Sequence, residues 1–198
     1  MQTTTIKIDG MTCMGCINSV KKVLEEIASA TSLLIDFGGG VQSSEDINAV
    51  FSAGAEQITA GSVAIRNPVL LEEWLTIWGS DRIILGADVN GQNIAVGAWE
   101  ETSEVTWKDF ISEKIGIGIT HVISTDIMKD GMLKGPSFEL YEKMGALFPK
   151  LNIIASGGVS SFEDLEKLER LQLHGAIVGK AFYEGRVTLE QLSQINNR

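Results

Sequence analysis

Two glycine-rich stretches carry the clearest chemical signal in the chain. Gly39-Gly40-Val41 followed by Glu45-Asp46-Ile47 returns 118 residues later as Gly157-Gly158-Val159 followed by Glu163-Asp164-Leu165. At the same offset Gly61 meets Gly179. Glycine lets a backbone approach an anion closely, and a helix N-terminus adds unpaired N–H groups and positive dipole. Two such sites held in register imply a ligand with a phosphate at each end. The same residues also suit tight strand-to-helix turns, and that plainer reading stays open. Asp88 ends an apolar run, a strand-end position where a catalytic carboxylate can stand; beside Asn90-Gly91 it also suits the cap of a turn. Cys13 and Cys16 form a lone Cys-x-x-Cys. Two thiolates at a helix start suit a soft ion such as Cu(I), while one pair is too few for a closed zinc site.

These residues need elements to hold them. From Ser32 onward, short runs of Val, Ile and Leu alternate with helical patterns. Strands are expected near 33–37, 57–60, 82–88, 121–125, 152–155 and 176–178. Helices are expected near 44–52, 69–78, 106–115, 138–148, 161–172 and 189–195. Alternation of this kind, with nearly continuous apolar strands, means a parallel sheet covered by helices. No Gly/Ser or Pro-rich linker divides it. Ahead of it, Thr3–Ile8 reads as one more strand, followed by a helix from about Ile17 to Ala28 with Val20, Val23, Leu24 and Ile27 on one face. Seven strands are expected in all. The repeated pair of strand–helix units points to a barrel with two-fold internal symmetry.

Composition narrows the partners. The 198 residues are 44% hydrophobic and 21% charged, too apolar for a disordered chain. No stretch approaches the roughly 18 apolar residues of a membrane span, and residues 1–5 lack the pattern of a signal peptide. The net charge of −10 argues against a nucleic-acid surface, which needs clustered Lys and Arg. Two cysteines exclude a disulfide scaffold, so a reduced, cytoplasmic setting is expected.

From about residue 26 to the end the chain closely resembles the phosphoribosyl isomerase of histidine biosynthesis, a (β/α)8 barrel. The motifs are Ile35-Asp36-Phe37-Gly38-Gly39-Gly40-Val41, Gly61-Ser62-Val63-Ala64, Leu85-Gly86-Ala87-Asp88, Thr125-Asp126-Ile127 with Lys129-Asp130-Gly131, Ala155-Ser156-Gly157-Gly158-Val159-Ser160 and Gly179-Lys180-Ala181. The stretch Asp130-Gly131-Met132-Leu133-Lys134-Gly135-Pro136-Ser137 looks like the isomerase rather than the related cyclase. The resemblance implies aldose–ketose isomerisation of a bis-phosphate aminoimidazole carboxamide ribotide, without a cofactor. It implies Asp88 as general acid, Trp99 as the ring stacking on the imidazole carboxamide, and Thr125 and Asp130 as orienting groups. Gly39, Gly40, Gly61, Ser62, Gly157, Gly158, Gly179 and Lys180 fall to substrate binding. Asp130 also suits a plain turn.

The first 26 residues depart from this family. Ile8-Asp9-Gly10-Met11-Thr12-Cys13-Met14-Gly15-Cys16 resembles the heavy-metal-associated domain of copper chaperones. The expected chain is thus a chimera: a 1–26 βα fragment, then an incomplete TIM-type (β/α) barrel over 27–198, six family units plus one foreign one. The family's general base stands on a first strand whose catalytic position falls on Ile6, so lowered turnover is expected. The alternative is a soft-metal protein, with Cys13 and Cys16 as ligands on a catalytically inert barrel. Seven strands leave an open edge, and an open edge invites a homodimer.

Overall fold

The computed structural model describes residues 14–97 and 99–196, with side chains from residue 21 onward. In chain order the first elements are α1 (Met14–Ala30), β1 (Asp36–Gly38), α2 (Ser44–Ser52), β2 (Gln57–Ala60), α3 (Ser62–Arg66) and α4 (Pro68–Trp78). Next come β3 (Ile83–Asn90), β4 (Asn93–Val96), β5 (Glu101–Thr106), α5 (Trp107–Gly116), β6 (His121–Asp126) and α6 (Phe138–Leu147). The chain continues through β7 (Asn152–Ser156), α7 (Phe162–Arg170), β8 (Gly175–Ala176), α8 (Lys180–Tyr183) and α9 (Leu189–Asn196).

Six of the strands run parallel in the order β1-β2-β3-β6-β7-β8, with helices between them. This is the βα repeat of a barrel-type fold. Among the described residues the sheet is open: β1 pairs only with β2, and β8 only with β7.

Local sequence explains where the helices start. Ser43 accepts from Asp46 N–H while the Asp46 carboxylate accepts from Ser43 N–H, a capping box for α2. Asn67 caps α4, whose first residue is Pro68. Thr106 and Ser161 cap α5 and α7 in the same way, each accepting from an aspartate three residues on.

Register assigns the two faces of the sheet. Residues level across a sheet project to the same side, and alternate residues to opposite sides. Ile58, Leu85, Val122 and Ile153 fall on the helix-covered side and are at most 2% exposed. Trp74 of α4 and Tyr141 and Met144 of α6 pack there, each fully buried. The opposite side carries Asp36, Thr59, Gly86, Asp88, Thr125 and Ser156.

From Ser32 onward the expected strands and long helices occur, with ends moved by at most three residues. Two features differ. Between Asn90 and Trp107 the chain forms a hairpin, β4 and β5, extending β3 through the two-residue turn Gly91-Gln92 with Gly91 at φ 63°. Asn-Gly is a strong hairpin signal, and the apolar run after it is short enough to pass for loop. Short helices also follow Gly61 and Gly179.

The helix expected from Ile17 begins earlier, at Met14. Of its expected apolar face, Leu24 is buried and Ile27 half-buried, but Val23 is 42% exposed. The helix leans on its neighbours along a narrower line, with Ala28 set against Gly54. The expected strand at 3–8, and with it Ile6, Asp9 and Cys13, lies outside the described residues. Cys16 falls within α1, and its side chain is outside them too.

Candidate active site

The C-terminal ends of β3, β6 and β7 place Asp88, Thr125 and Ser156 level with one another on the open face. Asp88 is half-buried, whereas Thr125 is only 7% exposed. Trp99, on the link between β4 and β5, donates its indole N–H to Asp88 Oδ2 at 2.8 Å. Its backbone takes φ 75°, a left-handed conformation that a bulky residue adopts only under constraint. The hairpin that sequence reading missed is therefore what delivers Trp99 to Asp88.

Tyr141 is a residue that sequence did not reveal. Its hydroxyl accepts from Ser156 N–H at 3.2 Å and lies 2.6 Å from Ser156 O and 3.1 Å from Ser124 O. A buried phenol pinned between two strands fixes the spacing of β6 and β7 beneath the site. Burial raises its pKa well above the ordinary value, so it stays a neutral donor. In sequence it is one more apolar-face position of α6, with nothing to mark the hydroxyl's target.

Asp36 faces the same side from β1. Thr59 Oγ1 donates to its Oδ2 at 2.7 Å, while Oδ1 is buried without a partner. Burial raises its pKa, and the Thr59 hydrogen bond only partly opposes this. Asp126 lies on the other face. Its carboxylate accepts from Met128 N–H and from the Ser137 hydroxyl, which ties the end of β6 to the start of α6.

The two glycine stretches are not equivalent. Side-chain carbons added at Gly39, Gly61 or Gly179 would meet nothing within 4 Å, so the space beside them is open. One added at Gly157 would lie 3.0 Å from Asp126 O, and one at Gly158 2.5 Å from Gly135 O. The second pair is glycine because another segment of backbone, 126–135, runs across it. Gly135 N–H donates to Gly158 O at 2.9 Å, and Lys180 Nζ donates to Gly131 O at 3.0 Å.

The repeated acidic residues also take a plainer role. Asp46 Oδ2 accepts from Gln42 and Ser43 N–H, and Asp164 Oδ2 from Ser160 N–H and hydroxyl. Carboxylates of the chain itself thus occupy the N-terminal ends of α2 and α7. These bonds take up N–H groups of the residues just before each helix. The open space lies instead beside Gly39, Gly61 and Gly179.

Comparison with known proteins places this geometry. A family profile described as "Histidine biosynthesis protein" matches residues 8–188. A protein of Cytophaga hutchinsonii named 1-(5-phosphoribosyl)-5-((5-phosphoribosylamino)methylideneamino) imidazole-4-carboxamide isomerase is 50% identical over 191 residues, 96% of this chain and 79% of the relative. Proteins of the same name from Flavobacterium johnsoniae and Bacteroides thetaiotaomicron are 49% and 47% identical over 187 residues, 94% of this chain and 77% of each relative. The profile and the C. hutchinsonii match both run through residue 26, where the sequence reading divides the chain, and the profile takes in Asp9, Cys13 and Cys16. With its parallel βα units and a match over most of its length, the chain belongs to the histidine biosynthesis protein family.

Proposed function

We propose that this chain is an isomerase that interconverts an aminoaldose and an aminoketose form of a phosphoribosyl imidazole carboxamide ribotide bearing two phosphates. The observation that carries this reading is Asp88. It stands at a strand end on the open face, beside an indole and level with a threonine and a serine, in a chain 50% identical to a named isomerase.

The chemistry needs a proton donor at the sugar ring oxygen and a base for a carbon-bound proton. Asp88 gives its proton to the ring oxygen as the C–O bond opens and the exocyclic nitrogen forms a C=N bond. Removal of the neighbouring C–H proton then yields an enamine that tautomerises to the ketose. Trp99 stacks on the imidazole carboxamide once its N–H leaves Asp88. Thr125 and Asp130 orient the sugar. Gly39, Gly40, Gly61 and Ser62 receive one phosphate, and Gly157, Gly158, Gly179 and Lys180 the other. No cofactor enters.

With Asp9-Gly10 laid over the family's first strand, the position of its base falls on Ile6, which cannot take a proton. Turnover below that of the relatives follows. Nothing beyond the spacing of Cys13 and Cys16 supports the soft-metal reading, and the described residues hold no group of three metal-ligating side chains. The test is ribotide conversion by the wild-type chain and by Asp88→Asn, with binding measured in parallel. Asp88→Asn should lower the rate by about two to four powers of ten and leave binding within a few-fold. Equal rates would refute the role of Asp88.

A further inference from the structure

The loop between β6 and α6 carries Asp130, and it is built onto the second glycine stretch rather than standing free. Asp130 N–H and Lys129 N–H both donate to Asp126 O at 3.0 Å, and Met132 N–H donates to Lys129 O. Gly135 N–H then bonds Gly158 O, closing the far end of the loop. Between these anchors Lys180 reaches the tip from α8, its ammonium 3.0 Å from Gly131 O. A carbon added at Gly39, by contrast, meets nothing within 4 Å among the described residues.

Lys180 directly follows Gly179, at the start of α8. Its ammonium has three donors. One goes to Gly131 O, and Glu184 Oε1 stands at 3.8 Å, itself held by Arg186 at 3.5 Å. A donor remains for a phosphate oxygen. An ammonium shared between a phosphate and the Gly131 carbonyl makes the two contacts support each other, because each holds the side chain where the other needs it.

We propose that Lys180 is a positioning residue for Asp130: it ties the 128–135 loop to the second glycine stretch, so that a phosphate bound there fixes where Asp130 stands. The coupling rests on the two-phosphate reading; the tie itself does not. Coupling is reciprocal, so the closed loop tightens phosphate by the factor that phosphate tightens the loop.

The experiment is amide hydrogen exchange on the full chain, wild type, Lys180→Met and Lys180→Arg, without and with millimolar inorganic phosphate. Half-exposed Lys180 can be replaced by Met without opening the core. Without phosphate, Lys180→Met should exchange the Met132 and Gly135 amides about three- to tenfold faster than wild type, the loss of one modest hydrogen bond. With phosphate, wild type should slow at those amides and Lys180→Met should not. Lys180→Arg should restore the protection, since a guanidinium can also serve two acceptors. Equal exchange in Lys180→Met and wild type without phosphate overturns the tie. Faster loop exchange on adding phosphate, or a shift at Gly179 with no loop protection, overturns the coupling. If phosphate shifts none of Gly39, Gly61 or Gly179, the two-phosphate reading fails and takes the coupling with it, whatever the ligand-free result.

Discussion

Asp36 is the residue whose setting least resembles its sequence context. In the string Ile35-Asp36-Phe37-Gly38 it looks like one polar position in a strand, yet one carboxylate oxygen is buried without a partner. Burial raises its pKa, which makes stability depend on pH in a definite direction. A carboxyl whose folded pKa lies above its unfolded value contributes fully below the unfolded value, near 3.8, and that contribution is lost as pH rises through the folded one. Asp36→Asn keeps an acceptor for Thr59 and removes the charge. We expect the variant to be more stable than wild type at pH 8, by about 1 kcal/mol, and to lose the advantage toward pH 4. Urea unfolding at both pH values checks this, and an advantage that grew on acidification would refute it. His121 works the other way. Its ring lies 3.0 Å from Thr120 Oγ1 and 3.0 Å from Asn152 Nδ2, with the His174 ring 5.3 Å away. Burial, then His174, lowers its pKa, against weaker opposition from Asp81 and the Ser80 backbone. Its penalty is absent above the unfolded value near 6.5 and grows as pH falls below it. A His121→Asn variant should therefore lose less stability than wild type between pH 7 and 5.

At the scale of elements, the glycine loops separate what a sequence repeat can and cannot say. The repeat predicted turns at both places, and turns are there. It could not say that Gly39 faces open space while the other pair lies beneath a crossing backbone, because the crossing atoms, of Asp126 and Gly135, belong to a segment remote in the chain. Nor does a Glu-Asp pair announce whether it greets a ligand or caps its own helix; Asp46 and Asp164 do the latter. The strands and long helices were legible because their apolar periodicity and caps are local. The hairpin was not, since β5 is largely exposed and carries no alternation to read. The two glycine environments predict different mutants. Gly158→Ala puts a carbon 2.5 Å from Gly135 O at φ 86° and should cost about 2–4 kcal/mol, with the loop displaced. Gly179→Ala meets nothing and has no positive φ, so it should unfold within about 0.5 kcal/mol of wild type while weakening phosphate binding. Equal destabilisation by the two would mean that both glycines serve only the turn.

The whole molecule raises the question of how its sheet ends. A parallel sheet in a βα fold is stable when both faces and both edges are covered, by helices and by closure into a barrel. Here the helix side is well filled, while the face bearing Asp88 holds half-buried side chains such as Ile123 and Ile154. Among the described residues β1 and β8 each have one strand neighbour, and among them the outer row of backbone donors and acceptors of each meets no other strand. Such rows template pairing with another chain, and natural proteins blunt them with charge or proline. Neither β1, Asp-Phe-Gly, nor β8, Gly-Ala, carries lysine or proline. The net charge of −10 opposes association at a distance but is screened beyond roughly 8 Å at physiological salt. The expected outcome is self-association that strengthens with concentration and with salt. Sedimentation velocity from 1 to 100 micromolar, at low and at physiological salt, reads it directly. A second copy pairing along β1 should also be weakened by Phe37→Lys, which sets like charges across the new interface. A monomer throughout that range, or a dimer that Phe37→Lys leaves intact, would show that β1 is not where this chain meets another.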